Sequence, residues 1–235
     1  MLEDGVDGPD GETNSVSPDG SRIIVGHDCK QGTCAFLVRP EGGEPEQLCQ
    51  SYAARGFSPD GSVVLMEKYA PPGEGWARIT AFDLAIKSEK DFLRDGEHSV
   101  YQAYFSWDNR RVVFERQFIG TSQIMIAPVR NGVPGRQKQR ITITDGRYVE
   151  DKPQFSRDGR SVYFLSSRDG HNCIWNQKLN PITKYPGWAS SALRASAQPV
   201  LRLFPPKADG AQCCEKQNRD QHTGGRQRLW IKQIE

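Results

Sequence analysis

A five-residue phrase written four times is the strongest constraint on how this chain folds. The copies are Val16-Ser17-Pro18-Asp19-Gly20, Phe57-Ser58-Pro59-Asp60-Gly61, Phe105-Ser106-Trp107-Asp108-Asn109 and Phe155-Ser156-Arg157-Asp158-Gly159. Counting from each aspartate, the fourth to sixth residues are apolar every time: Ile23-Ile24-Val25, Val64-Leu65-Met66, Val112-Val113-Phe114 and Val162-Tyr163-Phe164. The aspartates stand 41, 48 and 50 residues apart. A unit of roughly 40 to 50 residues with one tight turn and several short strands is the sequence form of a propeller blade.

The phrase carries its own turn mechanism. Pro presets φ for the first central position, Ser and Asp side chains bond nearby backbone N–H groups, and Gly or Asn tolerates the positive φ that closes a hairpin. Four hairpin corners are therefore predicted. Their aspartates are assigned to holding the turn, because side chains bonded to local backbone are not free for chemistry.

Apolar runs around each phrase supply four short strands per unit. The units fall at about 14–50, 51–95, 96–144 and 145–195, with a degenerate fifth at 196–235, and together form one domain over 14–235. In the fifth, Asp209-Gly210 follows Pro205-Pro206-Lys207 instead of Phe-Ser, and Glu215 interrupts the apolar triplet. The small-residue pattern from Ser190 to Ser196 also suits a helix. Residues 1–13 form an acidic tail whose Asp4, Asp7 and Asp10 recur every third residue, unlike the alternate ligand positions of a calcium loop.

Composition agrees with an all-β chain: 23 glycines and 15 prolines among 235 residues serve many turns. A net charge of +2 gives no strong overall field for nucleic acid, so no nucleic-acid partner is expected. No run approaches the ~18 apolar residues of a membrane span, and the first twenty residues lack the basic and apolar regions of a secretory signal. The basic stretch from Arg130 to Arg140, with four basic residues and no acidic one, reads as a solvated loop. A phosphate site is its alternative, without any aromatic platform for bases.

No cofactor or metal site emerges. The six cysteines show neither CxxC pairs nor finger spacing. Cys29 and Cys34 flank a plausible hairpin tip and can pair as a disulfide if the strands set them opposite each other. Gly187-Trp188-Ala189-Ser190-Ser191 lacks the second glycine of a nucleophile elbow, no phosphate-cradling glycine loop is present, and the four histidines are scattered. The chain is read as a non-enzyme.

At Phe57 to Gly61, and at Pro153 to Leu165 with Asn172 to Leu179, the chain resembles the TolB-type, WD-repeat-like β-propeller repeat of bacterial proteins. The likeness runs over 14–180 and weakens beyond. It implies radially arranged four-stranded antiparallel blades, commonly six, with the first strand of each lining a central channel. Five blades, an unrecognisable sixth, or an incomplete six-bladed ring remain the alternatives. The family includes envelope proteins that bind partner proteins, gating propellers of prolyl-oligopeptidase-like peptidases, and sensor propellers of bacterial serine/threonine kinases. The resemblance favours a periplasmic or envelope location and a protein or peptide partner.

In that topology the segments entering each first strand gather near the channel mouth. They carry Tyr52 and Arg55, Tyr101 and Gln102, and Tyr148, Glu150 and Asp151. Aromatic and charged residues converging from separate blades suit recognition of a peptide or small polar ligand. The bland alternative is a set of ordinary rim residues. The functional expectation is a non-catalytic TolB-like binding scaffold. Its competitors are the propeller portion of a larger kinase or peptidase and, more remotely, a lyase or hydrolase built on a propeller.

Overall fold

The computed structural model describes residues 15–29, 32–50, 52–70, 75–170 and 172–192. The acidic tail 1–13 and the fifth unit at 196–235 lie outside the described residues. Within them the chain is a β-propeller of antiparallel sheets, one per repeat. The first sheet runs β1 (Ser15–Val16), β2 (Ile23–Cys29), β3 (Gly32–Val38) and β4 (Glu46–Gln50), and the second β5 (Tyr52–Phe57), β6 (Val63–Lys68), β7 (Arg78–Asp83) and β8 (Ser88–Leu93). The third contains β9 (Val100–Phe105), β10 (Arg111–Gln117), β11 (Ser122–Arg130), β12 (Val133–Pro134) and β13 (Ile141–Thr142). The fourth is β14 (Glu150–Phe155), β15 (Ser161–Ser166), β16 (Cys173–Leu179) and β17 (Pro186–Ala192).

Each phrase is the hairpin corner between the first and second strands, and the four corners share one hydrogen-bond pattern. Serine Oγ donates to aspartate Oδ1 at 2.6, 2.6, 2.6 and 2.7 Å in turn. The same Oγ accepts the N–H of Arg22, Val63, Arg111 and Ser161 at 2.9 to 3.0 Å. Gly20, Gly61, Asn109 and Gly159 take φ of 72°, 71°, 58° and 64°, so the left-handed residue closing the turn is Gly or, once, Asn. These bonds hold the Asp19 carboxyl down at about 2 and also lower Asp60 and Asp158, with Ser17, Ser58 and Ser156 the first cause. Ser58 is 1% exposed. Ser58→Ala therefore orphans a largely buried Val63 N–H and is expected to cost ~1–3 kcal/mol, read as a lower melting temperature with the sheet signal intact.

The apolar triplets become the core. Phe114, Phe164, Ile24, Leu65 and Met66 are almost fully buried, and three clusters lie along the junctions between successive blades. The contacts repeat blade by blade: β5 packs on β1 to β3, β9 on β5 to β7, and β14 on β9 to β11. The burial of the fifth residue after each aspartate follows from this. Ile24, Leu65 and Val113 are fully buried beneath the next blade, whereas Tyr163 in the fourth sheet is only half-buried.

The structure differs from the sequence reading at several points. The outer edge of β11 is shared between β12 and the two-residue β13, Ile141–Thr142, instead of one long fourth strand. Pro128 lies on β11 and has no N–H; its carbonyl accepts from Gly135 at 2.7 Å, where the chain leaves β12 for a 3-10 turn, Gln137–Gln139. Arg140 ends that basic stretch buried rather than solvated: its side chain is 6% exposed and Nη1 lies 3.3 Å from Asp95 Oδ2. Asp95 also holds Arg116 at 3.3 Å and ties the end of the second blade to the third. In the register Cys29 stands opposite Gly32 and Cys34 opposite His27. Cys34 is buried and disulfide-bonded, its partner sulfur lying outside what is described, while Cys173 is not in a disulfide. Of the Ser190 to Ser196 segment open to a helical reading, residues 190–192 belong to strand β17 (Pro186–Ala192), and 193–196 lie outside the described residues.

Candidate binding site at the channel mouth

All the first strands start at the same face of the propeller, opposite the four hairpin corners. β5, β9 and β14 each carry one extra residue near that end: their pairing with β6, β10 and β15 slips between Ala54 and Gly56, between Tyr101 and Tyr104, and between Asp151 and Gln154. A bulge re-aims side chains and frees backbone groups from the ladder. In β9 and β14 the slip includes a residue six places before the turn aspartate with left-handed backbone, Gln102 (φ 51°) and Lys152 (φ 52°). The second strands contribute from beneath. Seven residues after Asp60 and Asp108, where the other copies have Gly26 and Leu165, stand Glu67 and Glu115.

These pieces meet as a partly buried charge cluster. Arg55 Nη2 lies 2.5 Å from Glu67 Oε2, with the two residues 7% and 0% exposed. The Gln102 N–H, released by its bulge, donates to Glu67 Oε1 across the blade boundary, and the Tyr69 hydroxyl reaches Oε2 at 3.4 Å. Lys152 occupies the position corresponding to Gln102 but gives its N–H to Asp151 Oδ1 at 2.6 Å. Glu115 therefore has no counterpart of the Gln102 N–H bond, and among the described residues only the Ser122 hydroxyl bonds its carboxyl. Burial first, then the neighbouring Asp151 and Glu67 charges, push the Glu115 carboxyl up to about 8, with Arg55 opposing. Like-charged neighbours and loss of water act in the same direction on a carboxylate.

The fourth blade forms the other half. Glu150 is fully buried, accepts from Arg168 Nη2 and lies 3.3 Å from Ser166 Oγ, while Ser122 Oγ accepts the Glu150 N–H at 2.7 Å. The Arg168 guanidinium sits over Trp175 at 4.4 Å, Phe164 at 5.5 Å and Tyr148 at 5.7 Å. Burial is the leading cause that raises the Glu150 carboxyl. Tyr69 and Tyr101 rings stand 6.1 Å apart, and Tyr69 and Tyr148 are 43% and 37% exposed.

The seven residues singled out from sequence divide accordingly. Tyr101, Gln102, Tyr148 and Asp151 remain accessible at this face. Arg55 and Glu150 point into buried ion pairs beneath it and orient the surface rather than form it. The backbone of Tyr52 begins β5, and its side chain lies outside the described residues. Sequence reasoning missed Glu67, Glu115, Tyr69 and Arg168. The two glutamates had a readable signal: a charge directly after the apolar triplet at the same offset in two copies. Among the described residues no group of His, Cys, Asp or Glu is placed to hold a metal ion, and no helix is long and apolar enough to cross a membrane.

No protein-family model and no curated protein matches this sequence. Solved structures do. A TolB protein from Agrobacterium tumefaciens superposes with a TM-score of 0.62 at 20% identity, over 77% of this chain and 64% of that one. TolB from Acinetobacter baumannii gives 0.59 at 14% identity, over 77% and 44%. A prolyl endopeptidase studied for inter-domain dynamics gives 0.54 at 15%, over 77% of this chain and 26% of the enzyme. At such identities the likeness is one of fold, and the chain spans less than two thirds of each of these proteins.

Proposed function

We propose that this chain, a TolB-type β-propeller by fold, is a non-catalytic scaffold that captures a protein or peptide segment at the face where the first strands begin. One observation carries the reading: the Glu67, Glu115 and Asp151 carboxyls interact there, with Glu150 buried in the same blade as Asp151, against Arg55, Arg168 and Lys152. Tyr101, Gln102, Tyr148 and Asp151 supply the accessible contacts, with Tyr52 entering from the second blade. The preferred ligand then bears a basic side chain, which places positive charge beside Glu115 and stacks on exposed tyrosine rings. A protein partner in the cell envelope follows from the TolB-like fold by analogy.

The test is anisotropy with a fluorescein-labelled pentaarginine peptide. Tyr52→Ala with Tyr148→Ala is expected to weaken binding by about tenfold, the loss of roughly 1.4 kcal/mol, without lowering the melting temperature. Unchanged affinity removes these tyrosines from the site.

The prolyl endopeptidase neighbour supports a second reading, in which the propeller gates or senses for a larger peptidase or kinase. In-frame catalytic signatures in the flanking coding sequence distinguish that reading, whereas a free-standing frame leaves the binding module.

A further inference from the structure

The opposite face holds a second site of contrary charge. The hairpin corner of the third blade (109–111) and the turn after β11 (128–131) enclose a pocket of about 570 Å³. This is within the ~300–1,000 Å³ range of ligand pockets. Pro128 and Val129 give it an apolar floor, and Arg110, Arg111 and Arg130 ring it with Asn109 and Asn131. Lys90 of the second blade approaches the adjoining turn, its Nζ 3.9 Å from where a β-carbon on Gly132 would stand.

Arg111 and Arg110 both stand in the field of Asp108, and the rest of this charge is unspent. Arg111 Nη1 lies 3.4 Å from Asp108 Oδ2, but the side-chain ends of Arg110, Arg130 and Lys90 make no hydrogen bond or ion pair among the described residues. All three are exposed. Nothing in the fold requires unpaired arginines around an apolar floor, and guanidinium groups favour carboxylate or phosphate oxygens held in a planar fork.

Backbone bonding decides between the anions. A phosphate cradle needs free N–H groups aimed at the ligand. Here the N–H of Asn109 goes to the Ser106 carbonyl at 2.9 Å, that of Arg110 to Asp108 Oδ1 at 3.1 Å, that of Arg111 to Ser106 Oγ at 2.9 Å and that of Val129 to the Arg110 carbonyl at 2.7 Å. Pro128 has none. Recognition is left to separated side-chain cations over an apolar floor, an arrangement suited to carboxylates spaced along a chain.

We propose that this pocket binds an acidic peptide segment of a partner protein, with Arg110 and Arg130 gripping successive carboxylates while apolar stem atoms rest on Pro128 and Val129. The probe is a fluorescein-labelled hexaglutamate peptide, titrated by anisotropy at two salt concentrations. Binding that weakens with salt, and falls about tenfold or more in Arg110→Glu/Arg130→Glu while pentaarginine binding stays unchanged, is the expected result. Both substituted residues are solvent-exposed, and Arg110→Gln/Arg130→Gln repeats the test without charge reversal. No binding to the unsubstituted chain, or equal binding to the variants, overturns the proposal. So does displacement of the peptide by inorganic phosphate or by a short oligothymidine at lower concentration than by unlabelled hexaglutamate, which would make the pocket a small-anion or nucleic-acid site.

Discussion

Arg55→Ala is expected to lower stability by ~3–5 kcal/mol, because it strands a carboxylate where water does not reach. Glu67 is fully buried, and Arg55 is its cationic partner, itself 7% exposed. For a chain of this size each kcal/mol moves the melting temperature by roughly 2–4 °C, so a fall of about 6–20 °C should appear in thermal melts followed by circular dichroism. A deficit below about 1 kcal/mol at every pH would mean that the pair is solvated and that the mouth is not preorganised.

The companion variant separates charge from packing. In Arg55→Met with Glu67→Gln both charges disappear, while the amide oxygen introduced at position 67 can still accept the Gln102 N–H. A buried pair replaced by neutral groups of similar volume is close to break-even, so most of the loss should return. If the double variant is as unstable as Arg55→Ala, the hydrogen bonds around the guanidinium matter more than its charge. The same comparison bears on function: Gln102 takes a left-handed φ of 51° and its N–H is tied to Glu67, so loss of that acceptor should loosen the first strand of the third blade at the proposed peptide face.

The sequence made the architecture legible because the hairpin corner is a local device. Ser, Asp and a residue tolerant of positive φ bond one another within five positions, so the strings around Asp19, Asp60, Asp108 and Asp158 suffice to place four corners and the strands that leave them. Trp107 and Asn109 did not disturb the reading, since Ser106 and Asp108 keep the bonds and Asn tolerates a φ of 58°. The split outer edge of the third blade escaped because it depends on what Pro128 withholds from a strand distant in sequence. The site was legible only in location. Whether Arg55 and Glu150 face solvent or pair with Glu67 and Arg168 inside their own blades depends on bulges in β5 and β14, and a bulge of one residue leaves no composition signal. Glu67 and Glu115 could be recognised as unusual from their shared offset. Their different fates could not, because Lys152 bonding its own neighbour Asp151 instead of Glu115 is a matter of three-dimensional geometry.

That difference gives Glu115 a large pH-linked effect. Its carboxyl rises from 4.5 to about 8 in the folded chain, through burial, Asp151 and Glu67, with Arg55 opposing. Below the unfolded value both states hold the proton and no stability depends on it. Between about 4.5 and 8 the unfolded chain releases the proton and the native chain keeps it, so this residue makes stability fall as pH rises. Above about 8 both states are ionised and the full cost of a buried anion is present. At ~1.4 kcal/mol for each pH unit the upper bound is ~5 kcal/mol. Glu115→Gln keeps the shape and removes the ionisation. It should leave the melting temperature nearly unchanged at the acid end of this window and raise it by several degrees or more at the alkaline end, the gain growing with pH between them. A gain independent of pH would show that the charge is not the source of the cost. The same charge links stability to recognition: a basic ligand beside Glu115 favours the ionised form, so pentaarginine binding near neutral pH should release protons in the unsubstituted chain and fewer in Glu115→Gln. Calorimetry in buffers of differing ionisation enthalpy reads that difference directly, and equal proton release by both chains would place the basic side chain elsewhere on the face.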